Sequence, residues 1–442
     1  MLQAAANAFR LPDVRRKLLF TFGILVVYRM AAAIPVPSFD RVAFQTLLKE
    51  NNLFQLLSLF AGGSGQISIV MLGVYPYITA QIAIQILQPV IPRLEELMRE
   101  GGEAGRQRLN QITRIVTVPL AMLQALGQGA LLSSSGVIKN FGLFDVHTVL
   151  PTLAFLITTA AGTMFLIWLG ELITENGIGN GVSLIIFAGI IARVPSLVGS
   201  QAQNNVGIIV IMAIVSALVI AAIVFVQQAQ RRIPVQYAKR VVGRRVMQGQ
   251  STFIPIPVNM AGMIPLIFAI SIVTAPYIIS SYFIFWTKGL WIVNVFGGRH
   301  DVWYDISNFF YTTFAYNSGN PVYWIIYFVL VVGFTYFYTY IQFHQQRLPE
   351  TLQKNGGFIP GYRPGQQTAA YLTRVVMGVT TAGALFLGAV ALLPYIGRLL
   401  LNTPVNLTIS ATALLIIVGV VIDTMRQLEA QLMMRNYQSF IK

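Results

Sequence analysis

Ten apolar runs dominate this sequence, at approximately 18–34, 67–90, 115–132, 149–170, 182–199, 207–227, 258–283, 322–342, 375–396 and 407–425. A helix crosses the hydrocarbon core of a bilayer with about 20 predominantly apolar residues, and each run is long enough. Little remains with which to cover a water-soluble surface: 10% of the 442 residues are charged, against roughly 25% in an ordinary soluble domain. Mean hydropathy is +0.67. A soluble globular enzyme is excluded on that ground, and the expected fold class is an all-α polytopic membrane protein with ten transmembrane helices. The first run does not read as a cleavable leader, because no small-residue cleavage site follows it and it ends at Ile34-Pro35-Val36-Pro37.

Thirty Lys and Arg against fifteen Asp and Glu leave a formal charge of +15. Nucleic acid is one explanation; the positive-inside bias of a polytopic protein is the other. With a cytoplasmic N-terminus, 22 of the basic residues fall in inner segments and 6 in outer ones, while Arg29 and Arg193 lie within runs. That asymmetry selects one topology, both termini cytoplasmic, and accounts for much of the charge without nucleic acid. The short polar stretch 199–206 divides the runs five and five. An odd number per half makes the second half enter from the opposite side, as in inverted repeats. The expected organisation is an N-terminal half, 1–198, an outer hinge, 199–206, and a C-terminal half, 207–442, with cytoplasmic loops at about 228–256 and 343–374.

Leu53–Ala61 is apolar but nine residues long, about 13 Å as a helix and too short to cross. Gly62-Gly63-Ser64-Gly65 then breaks it ahead of the run at Ile67. Either a half-helix enters from outside and turns back, or an interfacial helix lies on the outer leaflet; irregular backbone at membrane depth survives only inside protein or a watery cavity. Gly62-x-Ser64-Gly65 also matches an intramembrane serine protease, whose serine needs a histidine at comparable depth. His147 and His300 read as outer-loop residues and His344 sits at the inner boundary, so the base is missing. Asp423 is the only aspartate near a run, which leaves an aspartyl pair unformed. No cysteine is present, excluding disulfides, thiolate catalysis and Cys-ligated metals. No cofactor, metal or catalytic site is expected.

Gly177-Ile-Gly179-Asn-Gly181 neither follows a strand nor leads into Gly-Lys-Ser/Thr, and reads as a tight turn between two spans rather than a phosphate loop. Glu171 and Glu175 share a face at the inner end of the fourth run and read as interfacial. A solute transporter built of inverted repeats is the alternative function, but its coupling groups belong near the midplane, where only Arg29 is a candidate. Val74/Ile78 and Val182/Ile186 are i,i+4 pairs of branched apolar residues, each on one helix face.

The longest basic inner loop runs from Arg231 to Arg245, with six of its fifteen residues basic. Extended stretches flanking Val242-Gly243 suggest a hairpin whose tip presents Lys239, Arg240, Arg244 and Arg245. A second inner loop, Asn355–Gln366, is rich in Gly and Pro and displays Arg363. Both could anchor anionic headgroups. Their length favours docking of a large acidic partner, either ribosomal RNA phosphates or an acidic patch on a motor protein.

Five blocks taken together resemble the SecY/Sec61α family of protein-conducting channels: Ser68–Gln85, Gly177–Ile190, Gln236–Arg245, Val258–Phe268 and Pro360–Gly365. The resemblance covers essentially the whole chain, and the basic hairpin and Pro360–Gly365 look bacterial. It implies a central pore between the two halves, with a ring formed by Val74, Ile78, Val182, Ile186, Ile267 and Ile416. It implies a re-entrant plug at about 54–66, including Phe54, Leu57, Phe60, Gly62, Gly63, Ser64 and Gly65, and a lateral gate between the second/third and seventh/eighth runs. Lys239, Arg240, Arg244, Arg245 and Arg363 would then meet the ribosome or the SecA ATPase. Companion subunits SecE and SecG, signal peptides and nascent chains, and the lipid of a bacterial cytoplasmic membrane complete the implied partners.

Overall fold

Prolines and caps start the helices where the sequence places them ahead of an apolar run. Proline fits a first helical turn because its missing N–H would be unpaired there in any case. Pro12 opens α1 (Pro12–Ala31), with Asp13 in the same turn, where the helix dipole favours negative charge. Pro76 lies in the first turn of α2 (Tyr75–Leu87), and Pro92 opens α3 (Pro92–Arg99). The chain continues through α4 (Gly102–Ser134), α5 (Val146–Asn176), α6 (Gly181–Ile191) and α7 (Val206–Gln228). Four strands follow: β1 (Gln230–Tyr237), β2 (Arg240–Val242), β3 (Arg245–Met247) and β4 (Ser251–Pro257). Then come α8 (Ile264–Lys288), α9 (His300–Phe314), α10 (Pro321–Gln346) and α11 (Leu348–Lys354). Strand β5 (Gly357–Phe358), α12 (Gln366–Leu401) and α13 (Ala411–Ser439) complete the order.

This computed structural model describes residues 12–36, 68–88, 91–99, 102–134, 137–138, 141–142, 146–192, 194–195, 206–237, 240–242, 245–247, 251–288, 300–314, 320–346, 348–401 and 411–439. Each of the ten apolar runs overlaps one of its helices. Three described stretches, His147–Asn176, Pro321–Lys354 and Gln366–Gly397, are long and apolar enough by themselves to cross a membrane. In the second run the helix starts only at Tyr75, because residues 68–74 fold as successive turns. Ser68 bridges Pro35, and Gly73 takes a φ of 58°, a conformation that costs glycine little.

The chain divides into two compact units. One comprises Met1–Val206, Thr274–Asn320 and Val420–Lys442. Its core gathers Leu72, Ala121, Ala125, Leu132, Phe155, Leu156 and Ala160, around the α4–α5 pairing. Without a hydrophobic drive between helices in lipid, close packing carries their association, so small residues mark the contacts. A Cβ on Gly162 would stand 2.0 Å from the Ile69 carbonyl oxygen, and one on Gly129 would strike the Phe141 ring. That ring meets Phe155 edge to face at 5.9 Å. Buried threonines such as Thr113, Thr117 and Thr159 donate to carbonyls one turn back, which satisfies their hydroxyls without a neighbouring helix.

The second unit comprises Gly207–Val273 and Pro321–Gly419. Helices α10 and α12 pack along their lengths, with Trp324 against Tyr395, the Phe328 ring over Gly388, and Tyr336 Oη donating to Thr381 Oγ1. At one end lies an antiparallel sheet of order β4-β1-β5, with Ile233 opposite Ile254 and Gln236 opposite Phe358. Alternation along β1 turns Ile233 and Val235 inward. They join Ile256, Phe343, Leu352, Ile359, Leu372, Val375 and Val376 in a second core. Where such a core excludes water, each buried aliphatic side chain contributes about 1.5–3 kcal/mol. Edge strand β4 carries Pro255 and Pro257, and the proline of β1, Pro234, sits where that strand pairs with β4 alone, since β5 starts only opposite Gln236.

Candidate functional site

Residues 177–180 turn the chain from α5 into α6, and the backbone N–H groups of Gly177, Ile178 and Gly179 each have a partner. The Gly177 N–H donates to the Ile173 carbonyl at 2.7 Å. The Ile178 N–H donates to Thr21 Oγ1 of α1 at 3.2 Å, and the Gly179 N–H to Gln427 Oε1 of α13 at 3.0 Å. The Gly181 N–H donates to Thr174 Oγ1, and Asn180 Oδ1 caps α6 by accepting from the Ser183 N–H. Ile178 is buried with Val14, Leu18 and Leu428. The three glycine N–H groups and that of Ile178 are all engaged, which agrees with a structural turn rather than a phosphate loop. Next to it, Glu171 forms an ion pair with Arg114 of α4, while Glu175 stays exposed. Asp423 lies 4.0 Å from Arg426, one helical turn on.

The six aliphatic positions expected to line a pore share a placement that the sequence did not disclose. Val74 is the residue that caps α2, and Ile78 lies one turn into it. Val182 and Ile186 occupy the first and second turns of α6. Ile267 is the fourth residue of α8, and Ile416 the sixth of α13. Every one therefore sits within the opening turns of its helix. Val74, Ile78, Ile186, Ile267 and Ile416 are buried, and Val182 is half-buried. Four belong to the first unit and two to the second. No hydroxyl, amide or charge is found among them; they can offer a passing group only weak, non-directional contact.

The two basic loops turn out to be parts of one structure. Strand β5 pairs with Gln236 and Tyr237 at the end of β1, so the loop bearing Arg363 is bound edge-on to the strand that leads into the hairpin β2–β3. The hairpin forms, but its described arginines do not gather at the tip as expected: Arg245, opposite Val242, stands at the turn end, whereas Arg240, opposite Met247, stands at the open end, because the register puts two more residues of β2 between Arg240 and the turn. Lys239 and Arg244 lie outside the described residues. Arg363 is exposed on a loop that glycines shape: Gly361 has φ 88° and Gly365 φ 112°, values that strain any residue with a Cβ. Thr368 Oγ1 donates to the Arg363 carbonyl at 2.8 Å, and Tyr362 stacks on Tyr371 with ring centroids 4.1 Å apart. Arg363 is thus held out from a fixed backbone. Pairing across so short a strand as β5 leaves no periodic signal in sequence.

All the residues of the expected plug, Phe54, Leu57, Phe60, Gly62, Gly63, Ser64 and Gly65, lie outside the described residues, as does the outer hinge up to Asn205.

A family model described as SecY matches residues 68–425. The protein translocase subunit SecY of Halalkalibacterium halodurans is 42% identical, the alignment covering 100% of this chain and 100% of that one. Among solved structures, that of a protein conducting channel superposes with a TM-score of 0.62 at 18% identity, over 94% of this chain and 92% of the other. Sec61 in the canine ribosome-channel complex from the endoplasmic reticulum gives a TM-score of 0.59, also at 18% identity and with the same coverage. At that identity the two structures share the fold.

Proposed function

The chain belongs to the SecY family, and from that premise we infer that it is the pore-forming subunit of a protein translocation channel. It passes unfolded secretory polypeptides across the cytoplasmic membrane and releases transmembrane segments sideways into lipid. The observation that carries this reading is the family match over 68–425, which takes in all four helix starts where the six aliphatic side chains lie.

Ten helices span the bilayer, in two five-helix halves, 1–198 and 207–442, related by inverted pseudo-symmetry about a central pore. The coincidence of ten apolar runs with ten helices supports that count. Val74, Ile78, Val182, Ile186, Ile267 and Ile416 form the neck. A channel open to many sequences cannot line its neck with hydrogen-bonding groups, because these would grip some chains and not others. Branched aliphatic side chains yield sideways around a chain, and an empty apolar neck dewets and blocks ions. The segment from about Phe54 to Gln66 is the plug that closes the outer side. An apolar signal segment gains lipid contact on leaving between the second/third and seventh/eighth spans. A polar chain stays in the aqueous path, since unpaired backbone groups in hydrocarbon cost several kcal/mol each.

Both termini face the cytoplasm of a bacterial cell, as the distribution of Lys and Arg supports. Lys239, Arg240, Arg244, Arg245 and Arg363 receive the ribosome or the SecA ATPase, which supplies the energy, and SecE and SecG are the companion subunits. The basic loops suit RNA phosphates or an acidic protein face alike. The test is crosslinking: photoreactive groups at Ile78 and Ile186 should capture a stalled secretory chain, while one at Leu218, exposed on α7, should not. Equal capture at all three positions would overturn the pore assignment.

A further inference from the structure

Helix α9, His300–Phe314, lies between two apolar runs and belongs to neither. Six of its fifteen residues are aromatic, and it carries no Lys or Arg. Its described side chains sort into three sectors by helical spacing. Ser307 is buried and Tyr311 half-buried, facing the protein. Asp305, Asn308 and Thr312, at i, i+3 and i+7, form an exposed polar stripe. Ile306, Phe309 and Phe310, at i, i+3 and i+4, form an exposed apolar stripe, which ends at buried Thr313. Phe309 is 61% exposed, although its ring meets that of Phe310 at 5.7 Å.

The depth of this helix is fixed by its anchor. Tyr311 stacks on Tyr277 of α8, with ring centroids 4.7 Å apart. Tyr277 lies inside the apolar run 258–283, six residues from its outer end, about 9 Å along a helix axis. A helix pinned there stands at the boundary between hydrocarbon and headgroups. Ile279, two residues beyond the anchor on α8, is exposed as well, so α8 itself presents apolar surface at nearly the same depth. An amphipathic helix at such a boundary buries its apolar face about 5–10 Å into the lipid, and aromatic residues favour that zone.

We propose that α9 is an interfacial helix that rests on the outer leaflet through Ile306, Phe309 and Phe310, holding the outer end of α8 to the lipid surface. The inference rests on the reading of α8 as a spanning helix. Its chemistry is that of the headgroup–acyl boundary itself and not of an anionic headgroup: with Asp301 and Asp305 and no Lys or Arg, α9 is not built to attract negative lipid.

The chain contains no cysteine, so single cysteines can be introduced and labelled without background. The full chain, reconstituted with its companion subunits, would carry a fluorophore at Ile306, Phe309 or Phe310, at Asp305, Asn308 or Thr312, or at Ile214, exposed on α7. In phosphatidylcholine vesicles, a lipid-borne quencher should act several-fold more strongly on the first three than on the polar three, with aqueous iodide giving the reverse order. Added phosphatidylglycerol should leave the pattern unchanged. Equal iodide access at both stripes would overturn the proposal, and so would a dependence on anionic lipid. Shielding of the apolar stripe from both quenchers would also overturn it, because a protein would then be the occupant. Lack of lipid quenching at Ile214 would instead sink the membrane reading on which the proposal stands.

Discussion

Two glycine-rich turns, one in each unit, use the same residue for opposite ends. In the turn from Gly177 to Gly181, glycine makes room: a Cβ on Gly181 would stand 1.8 Å from the Gly170 carbonyl oxygen, and one on Gly177 2.5 Å from Thr21 Oγ1. In the loop from Gly356 to Gly365, the glycines at positive φ have open space around them, and their value is the backbone path they permit. The first turn is packed, its Ile178, Gly179 and Gly181 N–H groups taken by side chains of α1, α13 and α5. The second is open, with Arg363 in solvent on a fixed frame. A glycine motif therefore marks a site only where its surroundings are empty; where they are full, it marks packing.

Substitutions should separate the two uses. Gly181→Ala should have the largest effect, at or beyond the top of the about 1–3 kcal/mol that overpacking costs, because the group in the way is backbone. Loss of accumulation in the membrane and a lowered unfolding midpoint in detergent would register it. Thr21→Val keeps the shape but strands the buried Ile178 N–H, for a loss of about 1–3 kcal/mol in the same measurement; an unchanged midpoint would show that water reaches the turn. Gly361→Ala meets no atom and should cost only its strained φ, about 1–2 kcal/mol. Should it destabilise as much as Gly181→Ala, the contrast between room and path fails. Arg363→Glu should change stability by less than about 0.5 kcal/mol, as exposed substitutions do, yet reduce partner-driven translocation assayed in vesicles. Normal translocation would leave the open loop without a docking role.

Hydropathy located the helices well because lipid leaves the backbone few alternatives. The run 322–342 became Pro321–Gln346, and 149–170 became Val146–Asn176. It misplaced the start in 67–90, where a sliding average weighs side chains and is blind to Gly73 at positive φ. It also stopped short at 115, although α4 begins at Gly102, since a helix that leaves the membrane may carry charge. Of the packed turn, the glycines and the Asn180 cap are local and readable. Thr21 and Gln427 sit 157 and 248 residues away from the amides they satisfy, and no local pattern reaches that far. The basic hairpin was visible in the extended stretches that flank Val242-Gly243, but its union with the Arg363 loop depends on a two-residue strand.

That union has a mechanical meaning. The sheet β4-β1-β5 is a crossbar with a handle at each loop: a load applied to either handle is shared by both. From Pro257 the chain reaches Ile264, the first residue of α8, with no further strand or helix between, and Gly383 of α12 lies against the Val258 carbonyl on the way. Whatever leans on the crossbar therefore pulls on the turn of α8 that holds Ile267.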